Sequence, residues 1–313
     1  MAFHTQTLIP LMGPYPQIFK GTITRSGLPL EFSTNYTQHS SGDPVWRIGF
    51  EPVGAHSGTE RDLYNQVAMS ELFTRLKELG LAGYNTTLFE HFIARHTCKA
   101  MGTDFGRLFN ESIEPLRDSM GDLSAFNVID EYMEQTDGYS NFAFLSWDCV
   151  APANSTNIVT WSKMEEIWTL GGRLSGETTM RGLGYLKRLW QLTQIRDGCR
   201  AFTGRFDNGT DSTPTPLVWN YEMRPGSPEP LSKVYFPIHG GSDLTIVRGL
   251  ATFFEEIGLV EQGRSYEQNP ERDLSKTACL TSWISFAYTE KTGVYLSVYY
   301  HSSSDYPWTD KEE

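Results

Sequence analysis

The chain has 313 residues, enough for one large domain or two ordinary ones and for a sizeable core. Hydrophobic residues make up 39% and charged residues 20%, which excludes a disordered chain, and no apolar run approaches the ~20 residues of a bilayer span. A net charge of −12 argues against nucleic acid as a partner, because phosphate-backbone binding needs a basic footprint, although a few focused cations can still hold a small diphosphate.

Aromatic residues are 13% of the chain, so a ring-lined cavity can be built. Cys98, Cys149, Cys199 and Cys279 lie far apart, with no Cys-x-x-Cys spacing, and read as cytosolic thiols rather than a disulfide or zinc framework. The first ten residues lack the basic region and apolar core of a secretory signal, which points to a cytoplasmic protein. Without such a signal the sequons at Asn35, Asn85, Asn110, Asn154 and Asn208 read as chance matches.

In chain order, 26–36 and 45–52 alternate apolar and polar side chains and predict a pair of half-buried strands. If they pair as a hairpin, Glu31 and Arg47 are the charged residues that can face a common interior; alternatively both face solvent. Arg61 to Leu81 carries apolar residues at helical spacing, with Gly80 and Gly83 as stop signals. Phe105 to Met133 is helical in pattern, interrupted at Pro115 and around Gly121. Asn141 to Val150 reads as a strand, and Trp161 to Leu170 and Leu183 to Leu192 read as helices. Leu217 to Met223 and Leu231 to Pro237 form a hairpin across a Pro- and Gly-rich turn. A helix over Asp243 to Ile257 precedes a last pair of strands, Leu280 to Tyr288 and Val294 to Tyr300. Three hairpins separated by helices suggest a repeated helix–hairpin–helix unit, with no linker dividing the chain. A single domain spanning 1–313 is the expectation.

Familiar signatures are missing: no phosphate loop, no Gly-x-Gly-x-x-Gly, no His-Glu-x-x-His and no Gly-x-Ser-x-Gly elbow. Asp130, Glu131 and Glu134 form the richest acidic cluster and read as a solvated helix face. The seven His residues form no ligand set, so no metal site is expected. What remains is a set of strands with Lys and Tyr on one face. Lys233 and Tyr235 are two residues apart and project to the same side, as do Tyr295, Ser297 and Tyr299. Facing a cavity, a Lys-x-Tyr pair can bind phosphate oxygens, and tyrosine faces can stabilise a nearby carbocation. Facing solvent, the same residues make an ordinary strand with a snorkelling lysine.

Gly27-Leu-Pro-Leu-Glu31, Arg47-Ile-Gly-Phe-Glu-Pro52, Trp147-Asp-Cys-Val-Ala-Pro152, Thr169-Leu-Gly-Gly-Arg173, Glu222-Met-Arg-Pro-Gly-Ser227, Lys233-Val-Tyr235 and the closing Tyr-rich strand favour the first reading. In this order they resemble the fungal aromatic prenyltransferases of the dimethylallyltryptophan synthase family, over about residues 12 to 301. The resemblance implies an α/β fold: an antiparallel β-barrel surrounded by helices in repeated αββα units. It also implies metal-independent transfer of a dimethylallyl group from dimethylallyl diphosphate to an indole, either tryptophan or a tryptophan-containing cyclic dipeptide, in fungal alkaloid metabolism. No cofactor is implied, and the partners are the diphosphate and an aromatic small molecule. No nucleic acid or membrane is expected, and a homodimer stays open.

By the same resemblance, Glu31 is the carboxylate that accepts the indole N–H. Arg47, Lys233 and Tyr235 hold the diphosphate, and Tyr299 with Tyr295 belongs to a tyrosine shield around the allyl cation. Thr22 and Ile23 fall where the family touches its aromatic substrate. Two further Lys-x-Tyr strands of the family are shortened here. In His96 to Phe105 only Lys99 is left, the candidate for the proton-abstracting base, and Ala153 to Trp161 holds no Arg, Lys or Tyr. These departures leave the barrel open to being incomplete. They also keep alive an alternative, a catalytically impaired family remnant that only binds an aromatic or prenyl ligand.

Overall fold

The computed structural model describes residues 3–12, 29–40, 43–57, 59–62, 66–80, 85–87, 90, 110–121, 123–141, 160–193, 205–206, 209–210, 217–238, 243–267 and 281–300. They fall into two compact units, the smaller within 1–32 and 48–102, the larger within 33–47 and 103–301. Among the described residues no helix is long and apolar enough to cross a membrane.

The smaller unit is built around helix α1 (Gln66–Glu78). The expected helical pattern begins at Arg61, but Arg61 and Asp62 lie outside the helix, and Asp62 binds its backbone amides. One Asp62 oxygen accepts from the Gln66 amide at 2.6 Å and the other from the Val67 amide at 3.2 Å, satisfying donors that a first turn leaves orphaned. Arg75 and Lys77 sit in the last turn, where cations complement the helix dipole, and Gly80 then turns to φ +59° and ends the run.

A six-stranded sheet organises the larger unit. Its strands are β1 (Leu30–Thr37), β2 (Val45–Phe50), β3 (Val218–Glu222), β4 (Leu231–Pro237), β5 (Thr281–Thr289) and β6 (Gly293–Tyr300). The order is β2-β1-β6-β5-β4-β3, and β3 through β6 pair antiparallel. Residues 33–37 of β1 and 45–47 of β2 belong to this unit. Among the described residues the sheet is open, with β2 and β3 at its ends. The β3–β4 hairpin closes through Arg224-Pro-Gly-Ser227, where Pro225 presets φ and Gly226 supplies φ +73°, as a type II turn requires.

Helices α2 (Ser124–Gln135), α3 (Trp161–Trp168), α4 (Glu177–Leu192), α5 (Asp243–Glu256) and α6 (Val260–Glu267) complete the unit. One sheet face carries Val234, Phe236, Ile284, Phe286, Leu296 and Val298, all fully buried in one cluster with Ile167, Trp168, Leu186, Leu189, Leu250, Phe253 and Phe254. The sheet also closes the end of α3. Ser232 Oγ donates to the Trp168 carbonyl at 2.9 Å and Tyr221 OH to the Ile167 carbonyl at 2.8 Å, capping groups that the helix cannot pair itself.

All three hairpin pairs seen in the sequence form strands, and four of the expected helices form. Helix α4 begins at Glu177 rather than Leu183, and α6 is a helix that the periodicity did not single out. The stretch expected to be helical from Phe105 breaks at the foreseen places: a short turn over Glu114–Leu116 holds Pro115, and Gly121 at φ +86° ends the next turn before α2. The strand expected over 141–150 and all four cysteines lie outside the described residues, apart from Asn141.

Candidate active site

The other face of the sheet is polar. Register places Lys233 opposite Ala287 and Ala287 opposite Tyr295, while Tyr235 opposes Ser285 and Ser285 opposes Ser297. Asn220 of β3 stands opposite Lys233. Directly opposed residues share a face, so Asn220, Lys233, Tyr235, Ser285, Tyr295, Ser297 and Tyr299 form one continuous surface. Alternation within each strand keeps these side chains away from the apolar core and fixes which ones meet.

Two cations are held against this surface. The Lys233 Nζ lies 5.0 Å from the Tyr235 ring centroid and 5.2 Å from that of Tyr295, and the Arg47 Cζ lies 5.9 Å from Tyr295. The Tyr235 and Tyr299 rings are 6.2 Å apart and tilted by 50°. Among the described residues neither Lys233 nor Arg47 forms an ion pair. Burial, and then repulsion from Arg47, pushes the Lys233 ammonium down to about 8, with Glu222 opposing. Glu222 is itself engaged by Arg224 at 2.9 Å. Two mutually repelling cations on tyrosine faces, one half-buried and the other, Arg47, exposed, can receive a small anion.

Among the described residues, Ser285 Oγ and Asn220 Oδ1 are buried without a hydrogen bond, and the Tyr235 hydroxyl lies beside that of Tyr299. Burial and the neighbouring Tyr299 and Tyr295 push the Tyr235 phenol far above its ordinary range, so it stays a donor. Unpaired buried polar atoms cost free energy, and two on one surface beside Lys233 and Tyr235 can be satisfied by a ligand.

Glu31 sits in β1 within the smaller unit, half-buried, and burial pushes its carboxyl up to about 7. Arg47, Lys233, Tyr235, Tyr295 and Tyr299 come together on one surface in the larger unit. Thr22, Ile23 and Lys99 lie outside the described residues. Asp130, Glu131 and Glu134 do not form a ligand cluster: Asp130 accepts from Tyr139 at 2.5 Å and from Asn110, and the other two are exposed. Sequence reasoning missed Asn35, Asn220 and Ser285. The signal for Asn35 is its place four residues after Glu31 in an alternating strand.

Comparison with known proteins shows the family. The tryptophan dimethylallyltransferase family model matches residues 1–99 and, in a second piece, 92–269. Prenyltransferase phqI of Penicillium fellutanum is 46% identical, with 100% of this chain and 84% of the relative covered. Deoxybrevianamide E synthase of Aspergillus versicolor is 38% identical, with 99% and 85% covered. Among solved structures, NotF in complex with brevianamide F and DMSPP superposes with a TM-score of 0.80 at 33% identity, covering 97% of this chain and 87% of that one. The alignment with phqI runs over 390 positions although this chain has 313 residues, so tens of the relative's positions have no counterpart inside it. An acidic chain with this ordered set of motifs, folded into a sheet with a cationic, tyrosine-lined face, belongs to the tryptophan dimethylallyltransferase family.

Proposed function

We propose that the chain transfers a dimethylallyl group from dimethylallyl diphosphate to the indole of tryptophan or of a tryptophan-containing cyclic dipeptide. The observation that carries this reading is Lys233 and Arg47, without an ion pair among the described residues, on the Tyr235–Tyr295–Tyr299 surface. Lys233, Arg47 and the Tyr235 hydroxyl hold the diphosphate and accept the charge that develops as the allylic C–O bond breaks, its electron pair leaving with the diphosphate. The faces of Tyr295, Tyr299 and Tyr235 stabilise the allyl cation and keep water from it. A ring carbon of the indole then forms the new C–C bond, and a base takes the proton displaced from that carbon. Glu31 accepts the indole N–H and offsets the positive charge that builds on the ring. Thr22 and Ile23 contact the aromatic substrate and Lys99 supplies the base, roles that rest on the motif matches alone. The whole chain acts as one prenyltransferase domain in the cytoplasm.

A second reading is favoured by the family match, which comes in two pieces overlapping at residues 92–99, and by the positions of phqI without counterpart in this chain. A chain lacking such positions can keep the cationic surface and bind a prenyl diphosphate without turning it over. One experiment separates the two. Purified chain is incubated with dimethylallyl diphosphate, EDTA and a panel of tryptophan and tryptophan-containing cyclic dipeptides, and products are read by mass spectrometry. A prenyl mass gain on an indole is expected. Binding of the diphosphate without product from any acceptor establishes the second reading instead.

A further inference from the structure

Asn35 is 5% exposed and makes three hydrogen bonds that tie three strands together. Its Nδ2 donates to the Val45 carbonyl of β2 at 3.1 Å. Its Oδ1 receives the Tyr295 hydroxyl at 2.9 Å and the Ser297 hydroxyl at 2.5 Å, both from β6. The orientation of the amide is fixed by chemistry: a carbonyl only accepts, so the nitrogen must face Val45 and the oxygen must face the two hydroxyls. Both hydroxyls therefore donate to Asn35. The Tyr295 proton is committed to Asn35, and its ring faces Lys233 and Arg47 at 5.2 and 5.9 Å.

We propose that Asn35 is a positioning residue of the prenyl-transfer site, acting through Tyr295 by locking the ring against which the diphosphate cations and the allyl cation are placed. This rests on the function proposed above. A tyrosine on an exposed strand turns about two side-chain bonds. Here a buried amide removes that freedom and makes the phenol a donor, which leaves electron density on the ring and strengthens its hold on a cation. Ser297, fully buried on the same oxygen, stops Asn35 itself from turning. A purely structural role would need only one of these contacts to bind β1 to β6. The second places a site residue.

The test is a double-mutant cycle on the full chain, Asn35→Ala with Tyr295→Phe, reading kcat and KM for dimethylallyl diphosphate and for the indole. Asn35→Ala is expected to lower kcat about ten-fold while the indole KM changes less than about two-fold. In the Tyr295→Phe background, where no hydroxyl remains to be held, the same change is expected to lower kcat less than about two-fold. Equal losses in both backgrounds overturn the proposal, because Asn35 then acts without Tyr295. If Asn35→Ala does not fold, Asn35→Ser carries the cycle, since it is neutral and lacks the amide oxygen that receives the Tyr295 hydroxyl. The same expectation holds, a kcat loss of about ten-fold that falls below about two-fold with Tyr295→Phe, and an equal loss in both backgrounds is again fatal. A wild-type chain that binds dimethylallyl thiolodiphosphate without turnover moves the same cycle to binding constants. One that neither binds nor reacts removes the proposed function as well.

Discussion

Glu31 and Lys233 are moved towards each other on the pH scale by the same cause, burial of a charge. The carboxyl rises to about 7 and the ammonium falls to about 8. With Glu31 needed ionised and Lys233 needed protonated, kcat/KM for dimethylallyl diphosphate is expected to be bell-shaped, with limbs near these values, because that parameter reports the free enzyme. A profile flat from pH 6 to 9 would show that one of the two groups has no part in the reaction. Stability gives an independent check. The Glu31 carboxyl is held above its ordinary 4.5, so the folded chain keeps that proton longer than the unfolded one. Stability from this group is therefore full below pH 4.5, declines as pH rises towards 7 and is lost above it. Glu31→Gln is expected to stabilise the chain by up to about 3 kcal/mol at pH 8 and by little at pH 4.5, measured by urea unfolding, while turnover falls sharply. A variant that loses stability at pH 8 would show that the carboxylate is paired rather than stranded.

Helix packing sets how closely elements approach, and two glycines separate packing from propensity. A Cβ at Gly249 of α5 would fall on the Leu192 carbonyl at the end of α4, whereas one at Gly184 of α4 would meet nothing. Gly249→Ala is expected to destabilise the chain by about 2–3 kcal/mol, as overpacking against rigid backbone does. Gly184→Ala is expected to stabilise it by about 0.5–1 kcal/mol, because alanine loses less backbone entropy in a helix. Thermal unfolding of the two variants reads both signs, and the same sign for both would mean that α4 and α5 do not approach as described. At this scale the strands were readable because their alternation is a period of two with one face buried. Helix α6 was not, since Val-Glu-Gln-Gly-Arg-Ser-Tyr-Glu has a central glycine and little apolar periodicity. It is held by its neighbours: the Gly263 amide donates to the Leu259 carbonyl, and Tyr266 packs on Phe254 at 5.4 Å and Tyr36 at 6.0 Å.

Across the molecule, phqI has positions without counterpart in this chain. Inserting those phqI residues is expected to raise turnover ten-fold or more over the chain as it stands, measured under identical EDTA-containing conditions. Equal turnover would show those positions dispensable. The ordered motifs along the chain determined its family, its hairpin–helix alternation and five residues that meet on one surface, because strand alternation fixes the face and short turns fix the partner. What only the tertiary structure decided is how those residues are tuned and held. Burial, not sequence, brings Glu31 and Lys233 near neutrality. Asn35 reaches Tyr295 and Ser297 across 260 and 262 residues of chain, a contact that no local pattern encodes. It exists because β1 pairs with β6, and that pairing is a property of the folded sheet.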